Sequence, residues 1–317
     1  MPTRPHYAQS WEDTRLIQEL WTRHPADHYH LIASGGDHAL ELALRGFTNL
    51  QLYDLESVQL AHIQSKIHAL DLREADRNLA FGYRQGRGGL LHDGRLERFL
   101  GLFARGVVPL LVPKSTRNTL RTAPNIEAQI AAWDGPWQTP RWKWIAHRYF
   151  EPQRVDGSAR HPGLIEASER VKQPINYLKQ FREKLAISHL SDNPFAEYPL
   201  FGQYLASGIP YLDEGFTGAA QHLNLHHQSL ESALAAAPAE VRGIHASDVL
   251  EGRNPDQVHD FFTTVDRASA AGSTLIFWDH RFRTEFPEWW LQTWTRVTDL
   301  PADRVPFYHQ AHAFVKS

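Results

Sequence analysis

The chain has 317 residues, of which 42% are hydrophobic and 22% are charged, close to the values of soluble globular proteins. Its formal net charge of −3, from 33 Lys and Arg against 36 Asp and Glu, argues against a broadly basic nucleic-acid-binding protein. Cysteine is absent, which excludes disulfides, thiolate metal sites and a cysteine nucleophile within this sequence and suits the cytosol.

The polar residues 1–7 lack the apolar stretch of a signal peptide. The longest apolar stretch, residues 100–112, is too short for a membrane span and is interrupted by Arg105 and Pro109. We therefore expect a soluble, cytoplasmic protein without a transmembrane segment.

The first elements predict the opening of a nucleotide-binding sheet. Residues 28–34 are typical of a strand and are followed by a glycine turn and a helix over 37–44. A second strand, 50–54, ends in an acid, and a long amphipathic helix over 57–70 follows it. A doubly wound fold begins with this order of elements: a strand, a glycine turn, a helix, a strand that ends in an acid, and a second helix.

The C-terminal third repeats this alternation, which implies a mostly parallel sheet. A helix is predicted over 254–271. Four further strands are predicted, the last of them as an edge strand: 222–226, 241–247, 273–278 and 311–315.

The middle of the chain shows no strand series and is too long for a simple connection. We predict a large, mainly helical insertion there. The predicted domains are an N-terminal capping segment, a sheet domain in two pieces and a helical lid: 1–27, 28–72 plus 215–317, and 73–214.

The turn Ser34-Gly35-Gly36-Asp37 stands where such a sheet keeps its ligand-binding loop. Glycines let the backbone approach a ligand, and the following helix N-terminus offers N–H donors to an anion. Asp54, about 18 residues later, is placed to accept the hydroxyls of a ribose. The alternative is an ordinary strand–turn–helix connection with a solvent-facing aspartate. The full G-x-G-x-x-G pattern is absent, which disfavours NAD and FAD.

A glycine-rich loop has two interpretations. Gly86, Gly88 and Gly89, with Arg84 and Arg87, have the composition of a phosphate cradle. No Lys-Ser/Thr follows, so the loop is not a P-loop, and a flexible loop is the favoured interpretation.

No metal site is predicted, although the chain has 19 His. The histidines form neither H-E-x-x-H nor a compact cluster with carboxylates. A hydrolase triad is also disfavoured because there is no G-x-S-x-G elbow.

Two polar-aromatic segments are candidates for the site. Residues 7–13, with Tyr7 and Trp11, either fold over a ligand or pack against the core, and packing is favoured. The Asn-Pro turn at Asn193 opens a helix, so that Asn193 and Tyr198 either face the site together or form a plain turn with a helix cap.

Six blocks, in order across nearly the whole chain, resemble one family, the S-adenosylmethionine-dependent 3-amino-3-carboxypropyltransferases of bacterial betaine-lipid synthesis. The sequence departs from that family at residues 250–253, and it lacks an evident basic or apolar surface for a bilayer. The matching blocks are Tyr-Ala-x-x-Trp-Glu-Asp at 7–13, the turn region 32–40, Asp54-Leu55 with Gln59-Leu60, Gly-Arg-Leu-Glu-Arg-Phe at 94–99, Asn193-Pro194-Phe195 to Tyr198 with Gly202, and Ser247-Asp248-Val249.

The resemblance implies a Rossmann-like, class I methyltransferase-type α/β fold and S-adenosylmethionine as co-substrate, without a metal. It implies attack on the methionine γ-carbon with release of methylthioadenosine. The nucleophile is either an acceptor hydroxyl, as on a diacylglycerol-type lipid, or the donor's own amino group, which would give azetidine-2-carboxylate.

The resemblance also implies roles for residues. Ser34, Gly35 and Gly36 would hold the amino acid end of the donor, and Arg98 would pair with its carboxylate or form a structural ion pair. Asp54 would accept the ribose hydroxyls, and Gln228 and Ser229 would flank the adenine. Tyr7 and Trp11 would cap the ligand, and Leu55, Gln59 and Ser247 would also bind the cofactor. Asn193 and Tyr198 would position the migrating chain or the nucleophile, and Asp248 would bind the amine or act as general base.

Two alternatives of different classes remain. An ordinary methyltransferase would yield S-adenosylhomocysteine, and a non-catalytic nucleoside-binding protein would bind without turnover. We expect a small-molecule substrate and no nucleic acid, and the sequence leaves the oligomeric state open.

Overall fold

The computed structural model describes residues 4–151, 154 and 176–317. The remaining residues include the start of the predicted capping segment and part of the predicted helical insertion. The chain forms two compact units: the sheet unit, 12–68, 216–303 and 308–317, and the helical unit, 1–11, 69–215 and 304–307.

The sheet unit is an α/β structure with a mostly parallel sheet, as predicted. The sheet has seven strands, one more than the six predicted: β1 (His28–Ile32), β2 (Leu50–Asp54), β3 (Leu223–His227), β4 (Arg242–His245), β5 (Thr274–Asp279), β6 (Trp294–Arg296) and β7 (Gln310–Lys316). Their order is β3-β2-β1-β4-β5-β7-β6, and β7 runs antiparallel to both β5 and β6.

The strand predictions are confirmed for β2, which has the predicted bounds, and within two residues at either end for β1, β3, β4, β5 and β7. The prediction of 311–315 as an edge strand is wrong, because β7 lies between β5 and β6. The edge strand on this side of the sheet is β6. The sequence does not predict β6, because its three residues are too few to show an alternating pattern.

Helices connect the strands and cover the sheet. The helix over 255–268 begins with a capping box, in which the side chains of Asn254 and Gln257 each accept from the other's backbone amide. The helices of this unit are Thr14–Arg23, Asp37–Leu44, Ser57–Leu70 (which ends in the helical unit), the 3-10 turn Ala219–Gln221, Leu230–Ala235, Pro255–Ala268 and Trp290–Thr293.

The core of the sheet unit is aromatic and aliphatic. Trp290 and Trp294 stack with ring centroids 4.4 Å apart, and Phe262 lies 4.5 Å from Trp290. Burial of such large side chains is the main source of folding free energy for this unit. The core also contains Leu230, Leu234, Ile244, Leu250, Phe261, Val265, Leu275, Phe277 and Phe314.

The helical unit contains no strand in its described part, as predicted for the middle of the chain. Trp133, Trp137 and Trp142 are at most 1% exposed and pack against one another, so they form its core. The helices among its described residues are Glu74–Phe81, Arg95–Leu102, the π-helical turn Phe103–Val107, Val108–Leu111, Lys114–Arg121, Ile126–Asp134, Pro140–Tyr149, Tyr177–Ile187, the 3-10 turn Leu190–Asp192, Pro194–Phe201 and Pro210–Asp213.

No helix in the described ranges has both the length and the apolar character needed to cross a bilayer.

Candidate functional site

The sheet reverses its strand order between β1 and β4. In doubly wound sheets, ligands bind outside the carboxyl ends of the strands at this point, because the helices that follow the two strands lie on opposite faces and leave a crevice. The loop after β1 holds Ser34, Gly35 and Gly36, and the loop after β4 holds Ser247 and Asp248. We call this region, with the end of β2, the carboxyl edge.

The turn after β1 has an unusual backbone. Ser34 has φ of 46° and Gly36 has φ of 83°, so both lie in the left-handed region. This conformation costs little for glycine but is strained for serine, and strained residues of this kind concentrate at functional sites. A Cβ on Gly36 would lie 3.0 Å from Ile63 Cγ1, so the position also has little room for a side chain.

The carbonyls of this turn are held by the helix over 57–70. Gln59 Nε2 donates to the Ser34 carbonyl at 2.6 Å, and Lys66 Nζ donates to the Gly35 carbonyl at 2.8 Å. The amides of Ser34 and Gly35, in contrast, donate to no other described residue. The turn is therefore fixed in place while its N–H groups stay available to an anionic ligand.

Lys66 is fully buried and also pairs with Asp37, whose carboxylate oxygens lie 2.8 and 2.9 Å from Nζ. A buried ion pair of this kind fixes geometry more than it adds stability. The sequence analysis predicts no role for Lys66. The one sequence feature that could have indicated a role is a lysine within the amphipathic helix over 57–70.

Asp54 ends β2 and is half-buried. Burial raises its pKa to about 6, although the Glu56 amide, 2.8 Å from Oδ1, opposes the shift by donating a hydrogen bond. The carboxylate therefore ionises close to neutral pH, and ribose hydroxyls are donors that would favour its charged form.

The structure reveals a buried cluster beside β4 that the sequence analysis did not assign. The Ser247 hydroxyl donates to Glu12 Oε1, and the Tyr308 hydroxyl lies 3.2 Å from the same oxygen. Glu12, Ser247 and Tyr308 are 2%, 5% and 7% exposed, so this carboxyl group is shielded from water. Nothing in the local sequence pattern joins these residues, because they come from three separate parts of the chain.

Ser247 is a second serine in the left-handed region, with φ of 50°. Its carbonyl accepts from the Trp278 amide at 2.8 Å and its hydroxyl donates to Glu12, so both groups are occupied within the sheet unit. Each strand at the switch point is thus followed, in the loop after it, by a strained serine. Asp248, beside Ser247, is half-buried, and its contact with a ligand stays a prediction.

Glu12 has a strongly perturbed acidity. Its pKa is raised to about 7, and burial is the largest cause. The charge of Asp248 also raises this pKa, whereas the hydrogen bonds from Ser247 and Tyr308 lower it. A carboxyl group with a pKa near neutrality is suited to hold or accept a proton at working pH.

Of the other four predicted site residues of the sheet unit, two are exposed and two make hydrogen bonds within the unit. Leu55 is 69% exposed and Gln228 is exposed. Gln59 is 2% exposed and holds the Ser34 carbonyl, and Ser229 caps the helix over 230–235 by accepting from Ser232 N at 3.0 Å. Contact with an adenosyl group stays a prediction for all four.

Residues 7–11 of the predicted capping arm, 7–13, lie in the helical unit and are held by Glu97. Glu97 is fully buried and accepts from Ala8 N at 2.7 Å, Gln9 N at 3.1 Å and Trp11 Nε1 at 2.8 Å. A Cβ on Gly94 would lie 2.0 Å from Glu97 Oε2 and 2.2 Å from Ala8 N, so only glycine fits there. Residues 8–11 and the start of the block at 94–99 are therefore packing partners.

Asn193 and Tyr198 are both fully buried in the helical unit. Asn193 caps the helix over 194–201 by accepting from Ala196 N at 3.0 Å, and its Nδ2 donates to the Arg304 carbonyl at 3.1 Å. The Tyr198 hydroxyl lies 2.7 Å from His92 Nδ1, and burial raises the pKa of Tyr198. Their catalytic roles, and the ligand-capping roles of Tyr7 and Trp11, stay predictions.

Arg98 donates to Asp93 Oδ1 at 2.8 Å. This is the structural ion pair that the sequence analysis gives as the alternative to pairing with the donor's carboxylate.

Within the described ranges, no group of three or more His, Asp or Glu side chains is arranged to hold a metal ion.

No model of a known protein family matches the sequence, and no curated protein matches it. A function is therefore inferred from the residues themselves.

Proposed function

We propose that the chain binds S-adenosylmethionine at the carboxyl edge and uses its 3-amino-3-carboxypropyl group, releasing methylthioadenosine. The observation that carries this is the pairing, at the switch point of the sheet, of a fixed turn with unoccupied amides and the half-buried acid Asp54 one strand away. The turn amides suit the donor's carboxylate and Asp54 suits its ribose.

The sheet supports this choice of donor. Its first five strands follow the doubly wound order, and an antiparallel last strand stands between β5 and β6. That arrangement is the one expected of a methyltransferase-type sheet, which is the fold that the sequence resemblance implies.

The charges at the carboxyl edge support a cationic ligand. S-adenosylmethionine carries a sulfonium and an ammonium group, and Asp54 and Asp248 are the acids at the ends of β2 and β4. The one buried cation of the turn, Lys66, is already paired with Asp37. Opposite charges brought together in a partly desolvated site bind more strongly than in water.

The proposed chemistry balances for either nucleophile. In transfer, an acceptor oxygen bonds to the γ-carbon, the carbon–sulfur electron pair stays on sulfur as methylthioadenosine, and the hydroxyl proton passes to a carboxylate. In cyclisation, the donor's ammonium loses one proton to a carboxylate and its nitrogen bonds to the γ-carbon. The carbon–sulfur bond breaks in the same step with its electron pair on sulfur, which gives azetidine-2-carboxylate and methylthioadenosine. Asp248 is the proposed proton acceptor, and the neighbouring Glu12, with its raised pKa, is its proposed proton partner.

Methyl transfer is the second candidate, because the same sheet arrangement suits it equally well. The two reactions differ in which carbon of the sulfonium meets the nucleophile, and the reacting atoms must lie about 3–3.5 Å apart and in line. Their products differ: methyl transfer leaves S-adenosylhomocysteine.

The test is incubation of the full chain with S-adenosylmethionine, with and without a diacylglycerol acceptor in detergent, followed by mass spectrometry. Methylthioadenosine with azetidine-2-carboxylate indicates cyclisation, and methylthioadenosine only with the acceptor indicates transfer. S-adenosylhomocysteine would replace the proposal with its methyltransferase alternative. Absence of any heat on titration with S-adenosylmethionine would overturn both.

A further inference from the structure

The helical unit contains an open cleft of about 830 Å³ within its own helices. This volume is in the range of small-molecule binding sites. Its lining includes the glycine loop that follows the helix over 74–81, one face of the helix over 95–102 and the π-helical turn after it.

One wall of the cleft is backbone. Gly88 and Gly89 line it with φ of 68° and 73°, and their amides donate no hydrogen bond to any other residue that the structure describes. A Cβ on Gly89 would lie 2.3 Å from Gly82 N, so this wall cannot carry a side chain there. Successive unpaired amides in such a turn form a concavity suited to anions.

The glycine loop is anchored at its far end. Leu90 N donates to the Ala80 carbonyl at 2.9 Å, and Leu91 N donates to the Phe81 carbonyl at 3.1 Å. The loop thus has a defined path, which favours the phosphate-cradle interpretation of its sequence over a plain flexible loop.

Another part of the lining carries positive charge. The π-helical turn over 103–107 presents Arg105 to the cleft, and π-helical turns of one turn are frequent at functional sites. The guanidinium of Arg105 donates to the Gly202 carbonyl at 2.8 Å and lies against Gly101, where a Cβ would be 2.4 Å from Nη2. Gly101 therefore leaves the space that Arg105 occupies.

The charges in the lining sum to a positive value. Arg98 and Arg105 stand against the single acid Asp93, which is shared with Arg4 at 3.2 Å. Burial lowers the pKa of His92 to about 4, so that this histidine is neutral near pH 7. Leu90 and Leu102 add an apolar part to the lining, and Leu102 is 64% exposed.

We propose that this cleft binds a small phosphate monoester, with the phosphoryl group between the Gly88–Gly89 amides and Arg105 and its apolar part against Leu90 and Leu102. Phosphate oxygens accept from both backbone amides and a guanidinium fork. All residues that line this site belong to the helical unit, and the proposal does not rest on the adenosyl chemistry proposed for the sheet unit.

The test is calorimetric titration of the full chain with phenyl phosphate, and with inorganic phosphate, phenylacetate and benzyl alcohol as comparison ligands. Phenyl phosphate should bind most strongly, inorganic phosphate should bind more weakly, and benzyl alcohol should not bind. Tighter binding of phenylacetate would overturn the phosphate assignment. No heat with phenyl phosphate up to about 10 mM, or equal binding of benzyl alcohol, would overturn the site.

Two variants locate the site. Arg105→Gln removes the guanidinium and should weaken phenyl phosphate binding by about tenfold or more. Because Arg105 also donates to Gly202, a second variant, Leu102→Trp, fills the cleft from an exposed position and should weaken binding similarly. Arg95→Gln, on the same helix but outside the lining, is the matched control and should bind like the parent. Unchanged binding in both test variants would show that the ligand lies elsewhere.

Discussion

Single residues at the carboxyl edge combine strain, burial and charge in a way that the packing of the sheet does not require. Two serines, Ser34 and Ser247, take left-handed backbone conformations directly after the two strands at the switch point. Beside them, burial raises the pKa of Asp54 to about 6 and that of Glu12 to about 7. Perturbed acids next to strained backbone are the usual physical signature of a binding or catalytic site.

The first prediction concerns Asp54→Asn. If the carboxylate accepts ribose hydroxyls, the substitution should cost about 2 kcal/mol, or roughly thirtyfold in affinity for S-adenosylmethionine. Ligand donors favour the ionised acid, so binding to the parent should weaken as pH falls through about 6, and the variant should lack this dependence. Calorimetry between pH 5 and 8 measures both effects.

The matched control for Asp54 is Asp27→Asn, an exposed acid just before the amino end of β1. It should bind like the parent at every pH. Equal affinities for the Asp54 variant and the parent would remove Asp54 from the site.

The second prediction concerns the stability of Glu12→Gln. The folded-state pKa of Glu12 is raised from its ordinary value of 4.5 to about 7, so the folded protein retains a proton that the unfolded chain releases. The stabilising effect of that proton is full below pH 4.5 and is lost as pH rises to about 7. The glutamine variant, which is always neutral, should lose less stability across this window.

Urea unfolding at intervals across this pH window provides the measurement, with Glu285→Gln, an exposed glutamate, as the control. The control should follow the parent curve. A parent and a Glu12 variant with parallel pH profiles would contradict the raised pKa.

At the scale of elements, buried carboxylates hold segments that have no regular structure. Glu97, on the helix over 95–102, accepts three hydrogen bonds from residues 8–11. Glu197, on the helix over 194–201, accepts from the amides of residues 205–207 and from the Ser207 hydroxyl at 2.6 Å. Each helix thus positions a neighbouring loop through one acid.

The third prediction is that Glu97→Ala destabilises the chain by about 3 kcal/mol, because three buried donors lose their acceptor. Chemical denaturation followed by tryptophan fluorescence measures this. Glu183→Gln, exposed and paired with Lys179 at 3.7 Å, should cost less than about 0.5 kcal/mol. A Glu97 variant as stable as this control would show that the arm is held by packing alone.

At the scale of the whole molecule, the chain forms two units that are each assembled from separate sequence segments, and each unit has its own aromatic core. Each unit also carries one candidate site, the carboxyl edge in the sheet unit and the cleft in the helical unit. The two sites should therefore respond to different ligands.

The fourth prediction follows from that division. In hydrogen exchange with mass spectrometry, S-adenosylmethionine should slow exchange of amides at 34–37 and 247–248, since those amides gain acceptors or lose solvent. Phenyl phosphate should instead protect 86–90 and 101–106. Protection by both ligands of the same segment would show that the two sites are not distinct.

Local sequence patterns predict the alternation of strands and helices, and the glycine turn followed by a strand that ends in an acid. Hydrophobic periodicity, the positions of glycines and an acid at the end of a strand are all short-range features. The strand Leu50–Asp54 and the turn at 34–36 could therefore be predicted from the sequence. The mostly parallel α/β class follows from the same alternation.

Contacts between residues far apart in the chain, in contrast, become visible only in the folded protein. Ser247 and Glu12 are 235 positions apart, and Glu97 lies 86 positions from Trp11, so no local pattern could pair them. The same holds for β7, which pairs on both sides although the sequence predicts an edge. Long-range contacts depend on burial and chain topology over the whole molecule, and a periodic pattern describes only which face of its own segment is apolar.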